Sequence, residues 1–352
     1  MSTQFMSTHP LSTYRLPTQT SSAALSAISH GAVNDPPIPR RWTAADIPDQ
    51  FGRTIIVTGA NSGLGFQTAL ELARHGAHVV MTARDGEKGR AAKARIEAER
   101  VRGSLELRKL DLADLDDVKR FAAGIIADGL AVDVLVNNAG VMMPPRSLTR
   151  QGHELQFGVN HLAHFVLTAL LIDRLAQSSD GRVVTVSSDL HKRGQIHFDD
   201  LAGAHNYGRM SFYAQSKFAN VLFALELDRR LKAAGLPVKS LLAHPGYSAT
   251  NLQLNGPTGI LKLFMRIGNR FLAQDVAMGA LNELYAATAP AAAGGQFIGP
   301  DGRGEKSGYP KIVQPIAAAR DPDLAKRLWR LSEDLTGVRF DVADQGEIAR
   351  GL

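Results

Sequence analysis

Tyr213 and Lys217, in Tyr-Ala-Gln-Ser-Lys, stand four residues apart within a helical pattern, so their side chains emerge on one helix face, one turn apart. That pairing suits proton transfer. A tyrosine near its reference pKa of about 10 is a poor base near neutrality, and a lowering of ~3 units, or ~4 kcal/mol, makes it a better one. Positive charge beside the phenol favours the phenolate, and Lys217 is placed to supply it. Ser187-Ser188 end an apolar, β-branched run, where a hydroxyl can hold a substrate oxygen beside the tyrosine or, alternatively, cap a helix. Asn160, in Gly-Val-Asn-His, lies inside a long helical pattern where asparagine is a poor helix former. A water held there, passing protons from Lys217 to bulk solvent, would explain it. His161 and His164 flank it and read as helix-surface or core histidines; no third ligand accompanies them, and no metal site is expected.

A second constellation precedes this one. Thr58-Gly59-Ala60-Asn61-Ser62-Gly63-Leu64-Gly65 follows an apolar run and opens a helical pattern. Gly59 permits a tight turn, Gly63 lets backbone approach a pyrophosphate, Gly65 lets helix and strand pack closely, and the helix N-terminus faces the phosphate charge. A purely structural turn is the bland alternative, which the strand before and the helix after argue against. About 20 residues on, where such sites read an adenosine ribose, stand Arg84 and Asp85. Arg84 at the ribose would pair with a 2′-phosphate and select NADP(H), whereas Asp85 there would repel it and select NAD(H). Arg84 is the first residue past the apolar run and Asp85 is well placed as a helix cap, which favours NADP(H). Asp111-Leu112 and Asn137-Asn138-Ala139-Gly140 end two further runs where adenine and a nicotinamide ribose would pass. Turn chemistry alone also uses these residue types.

The elements that must position these groups follow an α/β rhythm. Candidate strands at 54–59, 78–83, 105–111, 132–138, 182–188, 237–245 and 294–300 alternate with helical patterns near 63–75, 86–99, 114–127, 151–177, 210–235 and 274–289. This predicts one doubly wound domain over 42–345, with seven parallel strands and helices on both faces. Two long interruptions, 189–212 and 247–273, follow strand ends, where ligand sites of open α/β sheets are built. Residues 1–41, rich in Ser, Thr and Pro, read as a disordered N-terminal arm.

The 352-residue chain is 44% hydrophobic and 21% charged, an ordinary globular balance, with a formal charge of +6 spread without basic runs, so nucleic acid is not an expected partner. It has no cysteine, which excludes disulfides and thiolate chemistry, so redox work needs a borrowed cofactor. No run of 18 apolar residues is seen, no membrane span is expected, and a cytoplasmic address is the default expectation.

Taken in order, Thr58-Gly-x-x-x-Gly-x-Gly65, Asn137-Asn-Ala-Gly140, Asn160, Val-Ser-Ser188 and Tyr213-x-x-x-Lys217 resemble the short-chain dehydrogenase/reductase family, over about residues 50–300. The resemblance implies a Rossmann fold and hydride transfer between NADP(H) and a carbonyl or alcohol. It implies that Ser188 orients the carbonyl, that Tyr213 is the acid/base, that Lys217 lowers its pKa and holds ribose, and that Asn160 completes a proton relay. Asp111 and Asn138 would contact the adenine and ribose regions, and His244-Pro245-Gly246 would form the nicotinamide-side loop. The long interval from Ser188 to Tyr213, with Thr82-Ala-Arg84-Asp and His197-Phe-Asp-Asp-Leu201, is similar to the branch of retinol dehydrogenases and protochlorophyllide reductases. That branch commonly uses NADP(H). Family members are often dimers or tetramers, so a homo-oligomer is a further expectation.

The apolar segment Leu252–Phe271 offers cover for a lipophilic substrate, with core packing, a subunit contact or a membrane surface as alternatives. Two other functions compete: a non-catalytic NADP(H)-binding sensor, which needs the glycine loop but not the acid/base pair, and an epimerase or dehydratase, whose glycine spacing and substrate domain differ.

Overall fold

A computed structural model describes residues 38–39, 41–246, 276–340 and 342. The expected arm up to residue 41 falls almost wholly, and the expected substrate segment 247–273 wholly, outside the described residues.

The strand β1 (Thr54–Val57) is buried along its whole length, because Ile55 and Val57 face one layer of helices and Ile56 the other. α1 (Gly63–Arg74) returns the chain to β2 (His78–Ala83), and α2 (Gly86–Ala98) leads to β3 (Ser104–Lys109). α3 (Leu115–Ala127) then crosses back to β4 (Val134–Asn137) on the far side of β1. The helix α4 (Leu155–Ala176), β5 (Gly181–Val186), α5 (Arg209–Ala234), β6 (Val238–Ala243), α6 (Val276–Thr288) and β7 (Phe297–Pro300) continue outward. From one edge the sheet order is β3-β2-β1-β4-β5-β6-β7, all parallel. The winding reverses between β1 and β4, so the loops beyond their carboxyl ends diverge and leave a crevice.

Ile55, Val136 and Val184 of the sheet pack with Leu72 and Leu284 on the side of α1, α2 and α6, while Ile56, Leu135 and Val183 pack with Phe165 and Phe223 on the side of α3, α4 and α5. α4 passes for a membrane-spanning helix by length and composition, with a mean hydropathy of 1.5, yet polar residues interrupt it so that it is no unbroken apolar run, and 89% of its most apolar window is buried inside the fold, as in a core helix.

The sheet has eight strands rather than seven, and the eighth breaks the parallel rule. β8 (Pro310–Val313) turns back on β7 as an antiparallel edge, Phe297 opposite Val313, where a hairpin loop over 301–309 replaces a crossover helix. The sequence reading also assigned no element to α7 (Pro322–Thr336). It is capped by Asp321, which accepts from the Asp323 and Leu324 amides, and it ends at Gly337 at φ +66°. α7 presses Trp329 against Phe165, Phe223 and Phe340, with ring centroids 4.9–5.8 Å apart.

Candidate active site

The glycine turn is held from two sides, by the ends of β2 and β4. The Gly59 amide donates to Thr82 Oγ1 at 3.3 Å and the Ala60 amide to the Thr82 carbonyl at 2.9 Å, so the end of β2 fixes the turn after β1. Thr58 Oγ1 accepts the Asn138 and Ala139 amides, each at 2.9 Å, while Asn138 Nδ2 donates to the Thr58 carbonyl at 2.7 Å. Gly59 and Gly63 adopt φ of +67° and +57°. A Cβ on Gly65 would collide with Asn138 Nδ2 and lie 2.6 Å from the Gly59 carbonyl, so the close helix–strand approach needs glycine.

α2 and α3 are capped by the carboxylates of Asp85 and Asp114, but Ser62, at the start of α1, makes no side-chain cap. The first-turn amides of α1 therefore meet the crevice with their partial positive charge uncompensated by a side chain, as a nucleotide pyrophosphate requires. The crevice has a volume of about 830 Å³. Gly59, Asn61, Ser62, Gly63, Leu64, Gly65, Arg84, Asp111, Leu112, Asn138, Ala139, Gly140, Tyr213, Lys217 and Pro245 line it, so these sequence-derived positions fall in one continuous site. Gly246 stands just beyond Pro245 at φ +69°, and a Cβ there would lie 2.5 Å from the Lys306 carbonyl.

At one end of the crevice Arg84, Lys88 and Arg95 are exposed cations. Asp85 is committed elsewhere: it accepts the Glu87 and Lys88 amides at 3.0 and 3.2 Å and pairs with Lys88 Nζ at 3.3 Å. These bonds, led by the Lys88 amide, hold its carboxyl below the ordinary range. Lys88 and Arg95 escaped the sequence reading, although their spacing of seven places them two turns apart on one face of α2.

At the other end the first turns of α5 carry Tyr213 and Lys217, both buried. Lys217 Nζ donates to the Val186 carbonyl at 3.0 Å and lies 5.9 Å from the Tyr213 ring centre. Met142 and Met143 pack on the phenol, and burial pushes Tyr213 up to about 12, against a smaller lowering by a hydrogen bond with Ser188. The lowering expected from Lys217 is not among the influences on the phenol, whose net shift is upward because desolvation dominates. Burial also draws Lys217 down to about 8, opposed by the charge of Glu283.

Asn160 is buried, in a π-helical turn (Gly158–Leu162) at the head of α4, a distortion frequent at functional sites. Its Oδ1 accepts the Val141 amide at 2.8 Å, and its Nδ2 donates to the Val141 carbonyl at 3.0 Å and to Ser216 Oγ at 2.9 Å. It lies behind Gly140, where a Cβ would come 3.0 Å from Asn160 Oδ1 and 3.6 Å from Lys217 Nζ. His161 is a core residue bonded to Ser332, and burial draws it down to about 3. His164 is likewise drawn down to about 4 by burial. Its Nδ1 must donate to the Asn160 carbonyl at 3.1 Å, so its Nε2 accepts from the Thr58 hydroxyl at 3.0 Å. Among the described residues no cluster has a metal-binding arrangement.

Residues 53–257 match the sequence pattern of the short chain dehydrogenases. The chain is 42% identical to human retinol dehydrogenase 13 over 293 residues, which is 82% of this chain and 85% of that protein. It is 40% identical to mouse polyprenol dehydrogenase over 298 residues, 83% of this chain and 86% of that one. Among solved structures, an uncharacterised protein from Mycobacterium paratuberculosis is 44% identical, with a TM-score of 0.70 over 85% of this chain and 98% of that one. A short chain dehydrogenase from Burkholderia cenocepacia, in complex with NADP, is 25% identical, with a TM-score of 0.55 over 71% of this chain and 96% of that one. With the glycine turn, the Tyr213–Lys217 pair and the crevice that joins them, these likenesses place the chain in the short-chain dehydrogenase/reductase family, as an oxidoreductase of its retinol dehydrogenase branch acting on alcohol or carbonyl groups.

Proposed function

We propose that the protein is an NADP(H)-dependent oxidoreductase that interconverts a lipophilic carbonyl compound and its alcohol, with Tyr213 moving the proton. The observation that carries this reading is that one crevice joins the Arg84–Lys88–Arg95 cluster to the buried Tyr213–Lys217 pair. The α1 amides would hold a pyrophosphate, and Arg84 with its neighbouring cations would hold a 2′-phosphate. Asp85, already a cap bonded to Lys88, is poorly placed to receive ribose hydroxyls. NADP in the Burkholderia structure supports the same choice. The names of the retinol and polyprenol dehydrogenases support an apolar substrate.

Ser188 and Tyr213 are hydrogen-bonded to each other, and a substrate oxygen would take its place between their hydroxyls by replacing that bond. When bound, NADPH supplies the hydride that the carbonyl carbon accepts. Tyr213 donates its proton to the carbonyl oxygen as the alcohol forms, and takes it back in the reverse direction. Burial keeps Tyr213 protonated until the reaction, which suits the reductive direction. Lys217, with a pKa of about 8, is mostly charged at neutral pH and stabilises the phenolate left behind. Its bond to the Val186 carbonyl fixes where that charge sits.

Titration of the purified protein with NADPH and NADH, followed by medium-chain and isoprenoid aldehydes and ketones, tests this. Tight NADPH binding by wild type and Tyr213→Phe, with turnover by wild type alone, is the expected result. Cofactor binding with no turnover on any carbonyl by either protein would favour the sensor reading.

A further inference from the structure

Three loops that end neighbouring strands meet at one carboxylate beside the crevice. Glu305, in the β7–β8 hairpin, accepts at its Oε2 from His244 Nε2 at 3.2 Å and from Lys192 Nζ at 2.9 Å. His244 follows β6, and its Nδ1 accepts the Gly246 amide at 3.3 Å, so the ring proton sits on Nε2 and points at Glu305. Lys192 follows β5, pairs with Asp189 at 2.6 Å, and belongs to the turn that begins at Ser188. The neighbouring His191 Nδ1 donates to the Ser188 carbonyl at 2.7 Å. The Phe297 ring lies against both His191 and His244, each with centroids 5.3 Å away.

The hairpin does not need this carboxylate to close. Its backbone is already bonded from Asp301 to Tyr309 at 2.8 Å and from Gly302 to Ser307 at 2.9 Å. Glu305 nevertheless sits at φ +56°, after Gly304 at +65°, a left-handed conformation that glycine adopts without strain and glutamate rarely adopts. A strained glutamate in a loop closed by other bonds points to a use for its side chain.

We propose that Glu305 is a positioning residue for hydride transfer, locking the Ser188 turn to the His244–Gly246 turn so that the substrate oxygen is set against the nicotinamide-side edge of the crevice. This inference rests on the carbonyl–alcohol reading of the site. The bonds from His244 and then Lys192 hold the Glu305 carboxyl down at about 2, so the tie is charged throughout the working range. The eighth strand, which adds an edge to the sheet, thereby also delivers the tie to the site.

The test compares wild type, Glu305→Gly and Glu305→Gln for kcat, KM, NADPH affinity, thermal midpoint and the isotope effect with NADPH deuterated at the transferred position. Glu305→Gly relieves the left-handed strain while removing the tie. It should keep its thermal midpoint, bind NADPH within about threefold of wild type, and lose roughly 10- to 100-fold in kcat, with a larger isotope effect as misalignment slows the hydride step. Glu305→Gln keeps an acceptor for His244 but loses the charge facing Lys192, and should fall between the two. Wild-type kcat and isotope effect in both variants would overturn the proposal, as would a loss of kcat that only tracks a lowered thermal midpoint. A wild type that reduces no carbonyl would instead overturn the reading of the crevice, and this inference with it.

Discussion

At one end of the crevice Arg84, Lys88 and Arg95 are exposed and come from one strand end and the helix that follows it; at the other, Tyr213, Lys217 and Asn160 are buried and come from two different helices. Exposed cations act through screened Coulomb attraction that neighbours share, so each contributes modestly and the set tolerates losses. At the buried end desolvation dominates, moving Tyr213 up to about 12 and Lys217 down to about 8, and every group there has defined partners. One crevice therefore joins a salt-sensitive, redundant half to a dry half where single atoms matter.

The contrast is tested most severely at Tyr213. Tyr213→Phe removes only a hydroxyl, and should cut kcat by ~10²- to 10⁴-fold while NADPH affinity changes little. A loss of cofactor binding as large as the loss of turnover would mean that the two halves are not separable. Thr58 is where they join, since its buried hydroxyl accepts the Asn138 and Ala139 amides and donates to His164, one turn from Asn160 on α4. Thr58→Val strands both amides and should cost ~2 kcal/mol in urea unfolding. Unlike Tyr213→Phe, it should weaken NADPH binding and turnover together.

The same contrast explains what the residues disclosed. β1, buried on both faces, reads as the unbroken run Thr-Ile-Ile-Val, and the glycine turn is a local pattern whose meaning does not depend on distant partners. β8 is four residues, Pro-Lys-Ile-Val, and becomes a strand only because β7 offers it an edge. α7, to which the sequence reading assigns no element, nevertheless carries local signals: Asp321-Pro322 at its start, Gly337 at its end and Ala325, Leu328, Trp329 and Ser332 on its buried side. Spacing placed Tyr213 and Lys217 on one helix face, but not the sign of the net shift at the phenol. That sign is set by the burial of the phenol beneath Met142 and Met143, which adjacent sequence does not reveal. Glu283 and Glu305 were missed for the same reason: each is ordinary in sequence and acquires its meaning from groups that the fold brings to it.

Glu283 sharpens the account of the buried half. It lies fully buried on α6, accepts the Thr68 hydroxyl at 3.0 Å, and burial pushes it up to about 7, opposed by Thr68 and by the charge of Lys217. Between the ordinary glutamate range and pH 7 the folded protein keeps a proton that the unfolded chain has lost, so raising pH through that window lowers stability. Lys217 acts in the opposite sense above pH 8, where the folded protein sheds its proton before the unfolded chain does, and stability recovers toward the ordinary lysine range. Below about pH 6.5 the buried His161 and His164, drawn down to about 3 and about 4, act against Glu283, because there the unfolded chain binds protons that the folded protein does not, so the Glu283 contribution appears as a difference between variants and not as a minimum in wild type. The thermal midpoint of Glu283→Gln relative to wild type should rise as pH is raised from 5 to 7, and a constant difference over that window would show that Glu283 is not the group responsible.

The smallest effect belongs to the exposed half. Arg84→Ala removes one cation of three, and Lys88 and Arg95 remain at the same end of the crevice. NADPH affinity should fall by about tenfold at low ionic strength, and by less near 0.5 M salt, where screening shortens the reach of every exposed charge. NADH affinity should hardly move, because that cofactor has no 2′-phosphate for a guanidinium to meet. The decisive quantity is the difference between the two cofactors as salt is raised. If Arg84→Ala weakens NADPH and NADH equally, Arg84 supports the loop rather than reading the phosphate. If the NADPH deficit persists undiminished in high salt, the contact is desolvated, and the exposed half of the crevice closes over its ligand until it resembles the buried one.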